Sequence, residues 1–121
     1  MSAQKRLYAL GRLKTGAMNK TESAYAEHLE LRRRAGEVAW FKFEGIKLRL
    51  ADNCFLTVDF AVMLADGRLE LHDAKGSKAI FSDDAKVKMK TAAELYPFVF
   101  KVAFPQPKKL GGGWLVEEIG A

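Results

Sequence analysis

The chain has 121 residues, 49% hydrophobic and 29% charged, which is enough for one packed core and too short for two. That balance excludes wholesale disorder, and no run approaches the roughly 18 to 20 apolar residues of a membrane span. No membrane partner is expected and the expected location is the cytoplasm, while the formal net charge of +5 favours polyanionic partners without choosing one.

Residues 1–18 carry Lys5, Arg6, Arg12 and Lys14 with no acid, and read as a basic N-terminal arm ahead of a single domain spanning 19–121. Asn19-Lys20-Thr21-Glu22 has the form of a capping box, so a helix is expected from Lys20 to Ala35, stopped by Gly36. From Val38 the period becomes that of strands. Val38 to Phe43 forms one, Ile46, Leu48 and Leu50 mark a second, and Cys54 to Leu64 reads as a third, almost unbroken apolar strand. The lone cysteine, Cys54, rules out an internal disulfide and reads as a core residue.

Asp66-Gly67 signals a tight turn, so Arg68 to Lys75 returns antiparallel to the third strand. Ser82 with Asp83 and Asp84 starts a second helix whose apolar stripe is Ala85, Met89, Ala92, Ala93 and Tyr96, and Pro97 ends it. Phe98 to Phe104 is a further strand beside the hairpin. Lys108-Lys109 and the glycines 111–113 suggest a loop before a short edge strand from Trp114 to Ile119. The order implies an α+β (α/β) fold: a central mixed β-sheet of about four to five strands flanked by helices.

One residue in the third strand is out of place. Asp59 is the only charge in a run that should be buried, and a buried carboxylate needs a partner. Asp73 and Lys75, two apart in a strand, share a face. A two-residue Asp66-Gly67 loop pairs Asp59 with Ala74, whereas a three-residue loop, Ala65-Asp66-Gly67 with Gly67 left-handed, pairs Asp59 with Asp73 and Thr57 with Lys75. The register that unites the acids is the one expected here. Two facing carboxylates repel unless a cation lies between them. The oxygen-only set suits Mg2+, with Mn2+ able to substitute, while zinc would call for ligands that His28 and His72 do not provide at motif spacing.

Val58-Asp59 followed 14 positions on by Asp73-Ala74-Lys75, behind a helix carrying Glu22, resembles the PD-(D/E)xK nuclease superfamily. The stretch from Asn19 to Phe104, including Phe43-Glu44-Gly45-Ile46-Lys47-Leu48 and Glu94-Leu95-Tyr96-Pro97, looks like small phage proteins of that superfamily, including its Holliday junction resolvase-like branch. Val58 stands where the pattern has proline and Asp73 where glutamate is more usual. The resemblance implies a restriction-endonuclease-like core and a metal-dependent DNA endonuclease. In it Asp59, Asp73 and the Ala74 carbonyl hold one Mg2+, Lys75 orients the attacking water, and Glu22 completes the outer shell or binds a second ion. Branched DNA is the substrate suggested by analogy, and paired cuts would call for a homodimer in which the strand around Trp114 contributes an interface.

Lys86, Lys88 and Lys90 on the second helix, with Arg32 and Arg33 at the end of the first, are the candidate phosphate contacts. Each assignment has a plainer competitor: Glu22 as a cap, Asp59 as the partner of an arginine, Asp73 with Lys75 as a solvated pair, and the lysines and arginines as solvated helix faces. The alternatives at the level of function are a catalytically inactive nuclease-fold protein of a phage that binds nucleic acid, and a phage interaction protein.

Overall fold

The structure, a computed structural model, describes residues 17–120; the expected basic arm lies almost entirely outside the described residues. Helix α1 spans Lys20–Arg34 and begins with the capping box. Asn19 Oδ1 accepts the Glu22 amide at 2.8 Å and Glu22 Oε1 accepts the Asn19 amide at 2.8 Å, satisfying donors that the first helical turn leaves open. Tyr25 and Leu29, four apart, form its buried stripe. Ala35 caps the other end, and Gly36 follows with φ +84°, a conformation glycine adopts without steric cost.

Among the described residues seven strands follow: β1 (Val38–Phe43), β2 (Lys47–Ala51), β3 (Cys54–Thr57), β4 (Phe60–Leu64), β5 (Leu69–Ala74), β6 (Val99–Pro105) and β7 (Trp114–Ile119). Helix α2 (Asp83–Leu95) lies between β5 and β6. The main sheet has the order β1-β4-β5-β6-β7, and β2 with β3 forms a separate two-stranded ribbon. Only β5 and β6 pair in parallel; the other neighbours are antiparallel. A parallel pair needs a long crossover, which α2 supplies. The fold is therefore α+β with a central mixed sheet.

The segment Cys54 to Leu64, expected as one strand, is two. The chain pairs with β2 as far as Thr57, then changes sheets at Val58 and Asp59. Val58 turns into the core at 2% exposure, and the Glu44 amide donates to the Asp59 carbonyl at 2.7 Å, a last rung of the β1–β4 pairing. No glycine or proline marks the switch, and both halves are apolar, so periodicity could not reveal it. Cys54 falls at the turn end of the ribbon and is only half-buried, not a core residue.

Each face of the sheet has its own core, as layered folds require. Phe60, Val62, Leu64, Ala74 and Ala103 meet Tyr25 and Leu29 of α1. Ala61, Leu71, Phe100, Val102 and Phe104 meet Met89 and Ala92 of α2, with Leu48 of the ribbon. The Tyr96 hydroxyl donates to the Arg49 carbonyl at 2.6 Å, tying the end of α2 to β2. Edge strand β7 folds back on β6, and the Trp114 ring packs against Tyr25 with centroids 4.9 Å apart; that ring is engaged within its own chain. No helix among the described residues is long and apolar enough to cross a membrane.

Candidate active site

The β4–β5 hairpin fixes the relation of the two acids. Its register runs from Met63↔Leu69 to Phe60↔His72, and one further step sets Asp59 opposite Asp73. The Leu64 amide donates to the Arg68 carbonyl at 2.9 Å, so the loop is the three-residue Ala65-Asp66-Gly67, with Gly67 at φ +91°. Because side chains directly opposite in an antiparallel pair share a face, both carboxylates and Lys75 fall on the α2 side, where the strands end.

Hydrogen bonds lock the pair. The Asp59 amide donates to Asp73 Oδ1 at 3.3 Å, and Asp59 Oδ2 accepts the Ala74 amide at 2.9 Å. Asp59 is the last residue in step with β5 and Val58 has turned away, so the Asp59 carboxylate takes the place of the backbone acceptor that Ala74 would otherwise meet. The amide and carbonyl of one strand residue project toward the same neighbour, which puts the Ala74 carbonyl on the Asp59 side. Lys75 Nζ lies 3.0 Å from Asp73 Oδ2, and the Lys75 amide is held by the Ala103 carbonyl at 2.9 Å.

One ammonium thus faces two acids. Burial, followed by the charge of Asp73 and then a smaller effect of Glu22, pushes the Asp59 carboxyl up to about 8, against the pull of the Ala74 amide. Burial works against the Lys75 charge, but Asp73 outweighs it and holds the ammonium above its ordinary range. Asp59 makes no ion pair among the described residues. A hard divalent ion needs one or two carboxylates, with the rest of its shell from water and phosphate oxygens. Asp59, Asp73 and the Ala74 carbonyl fit that requirement. No group of three or more His, Cys, Asp or Glu side chains among the described residues is arranged to hold a metal by itself.

Glu22 stands at the edge of this cluster. A Cβ on Gly76 would lie 3.6 Å from Thr21 Oγ1, so the first turn of α1 abuts the residue after Lys75. Glu22 is 7% exposed, and its charge acts on both Asp59 and Lys75. Capping occupies Oε1; Oε2 makes no hydrogen bond among the described residues. The cap and a place beside the acids are therefore compatible.

The candidate phosphate contacts are dispersed. Lys86 and Lys90 line a groove together with Lys78, whereas Lys88 reaches the Phe55 carbonyl of β3 at 3.5 Å on the opposite edge of α2. Arg33 binds Glu30 through two nitrogens at 2.7 Å each, and Arg32 meets Glu37 at 3.1 Å. Eleven helical positions beyond Glu22, or about 16 Å along the axis, Arg33 belongs to the far end of α1, away from the acids.

A second polar group, on the α1 face, was not foreseen. The Tyr25 hydroxyl is 2.6 Å from His72 Nδ1, His72 Nε2 is 2.8 Å from Glu70 Oε1, and Lys101 Nζ is 2.9 Å from Glu70 Oε2. Burial keeps His72 below its ordinary range and the Tyr25 hydroxyl above its own. The neutral imidazole then donates from Nε2 to Glu70 and accepts from Tyr25 at Nδ1. Burial opposes ionisation of Glu70, but hydrogen bonds from His72 and Lys101 prevail and bring it down to about 2. The available signal was Glu70 and His72 on one face of a strand; the missing piece was the β5–β6 register that sets Lys101 beside His72.

No protein-family model, curated protein or solved structure matches this chain.

Proposed function

We propose that the protein is a magnesium-dependent DNA endonuclease of PD-(D/E)xK type. The observation that carries this reading is the convergence of Asp59, Asp73 and Lys75 on one face where β4 and β5 end, with one acid making no ion pair among the described residues. A bound Mg2+, or Mn2+ in its place, would polarise the scissile phosphate and acidify a water. Asp59 and Asp73 would fix its position, and the Ala74 carbonyl would supply a neutral oxygen. Lys75, held by Asp73, would orient the attacking water and stabilise charge developing on the phosphate oxygens. Glu22 would use its free oxygen in the outer shell. Lys86, Lys88 and Lys90 would contact DNA backbone, with Arg32 and Arg33 available only if their carboxylate partners release them. The substrate would be met in the cytoplasm, and cleavage of two strands in register would call for a homodimer.

Incubation with plasmid, linear and four-way-junction DNA in magnesium, in manganese and in chelator tests the reading. Metal-dependent cutting that disappears in Asp59→Ala and Lys75→Ala supports it; binding without cutting in either metal overturns it. One observation favours the second outcome, a nuclease-fold module that only binds nucleic acid: the Lys75–Asp73 ion pair at 3.0 Å already neutralises one acid without a metal.

A further inference from the structure

Beside Lys75 lies a groove whose apolar floor the chemistry above does not use, although two of its lysines were assigned there to the DNA backbone. It has a volume of about 290 Å³ and is lined by Lys78, Phe81, Lys86, Lys90, Phe104 and Ile119, with Glu117 at one side. The parallel register runs from Glu70↔Val99 to Ala74↔Ala103, and its next step sets Lys75 beside Phe104. The groove therefore opens on the same face as the acids, one strand along, a backbone spacing of about 4.8 Å.

Its lining has two parts. Phe81 and Phe104, 6% and 4% exposed, form with Ile119 an apolar floor. The rim is cationic. Lys78 is paired with Glu117 at 2.7 Å, but Lys86 and Lys90 have no carboxylate partner among the described residues, and Lys86 Nζ stands 5.6 Å over the Phe81 ring. Three lysines against one glutamate leave a surplus of two positive charges around an apolar recess. Such a site suits a ligand that is anionic at one end and planar and weakly polar at the other.

We infer that this groove receives one unpaired nucleotide of the DNA strand whose neighbouring phosphate faces Lys75. The inference rests on the nuclease reading only for that neighbouring phosphate. A base inside a duplex keeps its faces stacked and cannot reach the Phe81–Phe104 floor. An unpaired base can, with its phosphate between Lys86 and Lys90, in the combination of apolar surface and basic rim by which single strands are generally held. The volume lies just below the roughly 300 Å³ at which ligand sites start, so it admits a nucleotide and not a helix. The substrate class that follows is DNA with a single-stranded element at the cut: a gap, a flap or a branch.

The test uses the full chain in chelator, where no metal-dependent cleavage intervenes. Fluorescence anisotropy compares a labelled oligothymidylate with a blunt duplex of the same length, for the wild type and for Lys86→Glu/Lys90→Glu. Both lysines are exposed, and thermal melting checks that the variant folds. The expected result is a single-strand affinity at least about tenfold weaker in the variant and a salt slope shallower by about 1.4, at roughly 0.7 per lost contact, with duplex binding changed far less. A 2-aminopurine base in the oligonucleotide should change its fluorescence on binding the wild type and not the variant. Equal losses on duplex and single strand, or no loss on either, overturns the inference. A protein that cuts no DNA in magnesium yet shows this lysine-dependent single-strand preference overturns the nuclease reading and leaves the groove assignment standing. Cutting of intact duplex as fast as gapped DNA, unaffected by the double substitution, does the reverse.

Discussion

The Tyr25 hydroxyl sits 2.6 Å from His72 Nδ1, joining the helix that carries Glu22 to the strand that carries Asp73. Both partners are buried, at 0% and 1% exposure. Tyr25→Phe keeps the ring and removes the donor, leaving a buried imidazole nitrogen unsatisfied, at a cost of about 1–3 kcal/mol. Urea unfolding should show the loss as a lower midpoint with an unchanged m-value, and a midpoint equal to that of the wild type would show that the contact contributes nothing.

Stability without metal should fall as the pH rises. The Asp59 carboxyl titrates near 4 in an unfolded chain and is pushed up to about 8 in the fold. Between those values the folded protein retains a proton that the unfolded chain has lost, so this contribution is complete below about pH 4 and fades on the way to pH 8. A bound divalent ion requires the ionised carboxylate and should reverse the slope. Melting temperatures measured over that interval, in chelator and in magnesium, check both signs. Asp59→Asn should flatten the metal-free slope, and an Asn variant with the wild-type slope would assign the effect elsewhere.

Metal affinity should separate the two members of the Asp73–Lys75 pair. Lys75 Nζ competes with any cation for Asp73 Oδ2, so Lys75→Ala should bind magnesium at least as tightly as the wild type while losing cleavage. Asp73→Asn should lose both. Isothermal titration with magnesium alone reads the difference, and wild-type magnesium affinity in Asp73→Asn would remove Asp73 from the metal shell.

Cleavage in Asp59→Asn should drop by at least roughly a hundredfold, the size of effect expected when one preorganised electrostatic group is lost. Asparagine can still accept the Ala74 amide that Asp59 Oδ2 accepts at 2.9 Å. The variant should therefore melt no lower than the wild type in chelator at neutral pH, because it no longer has to hold a proton that the unfolded chain releases. A collapse of the fold would instead mark Asp59 as a structural residue.

Much of the scaffold was legible because its signals are local. Asn19 and Glu22 announced α1, Ser82 announced α2, and the Asp66-Gly67 turn announced the β4–β5 hairpin. The facing of Asp59 and Asp73 was legible only as one of two registers, since strand β4 is apolar on both sides and the pattern could not choose. The change of sheets at Val58 left no local mark. The Tyr25–His72–Glu70–Lys101 chain and the groove between α2 and β6 depend on non-local pairings, which neither periodicity nor motif spacing encodes. Lys86 and Lys90 could be placed on one helical edge by their spacing, but Phe104 beneath them could not.

Five residues separate the Ala65-Asp66-Gly67 loop from the paired acids, about 17 Å of extended strand, yet that loop decides what they do. Deleting one of its residues would transpose Asp59 to the α1 side and leave Asp73 facing Lys75 alone. The buried strand between, Phe60-Ala61-Val62, offers hydrocarbon in either direction and would tolerate the slip. A distant turn therefore acts as a selector for the chemistry, and a single codon lost there could silence the site while the molecule still folds.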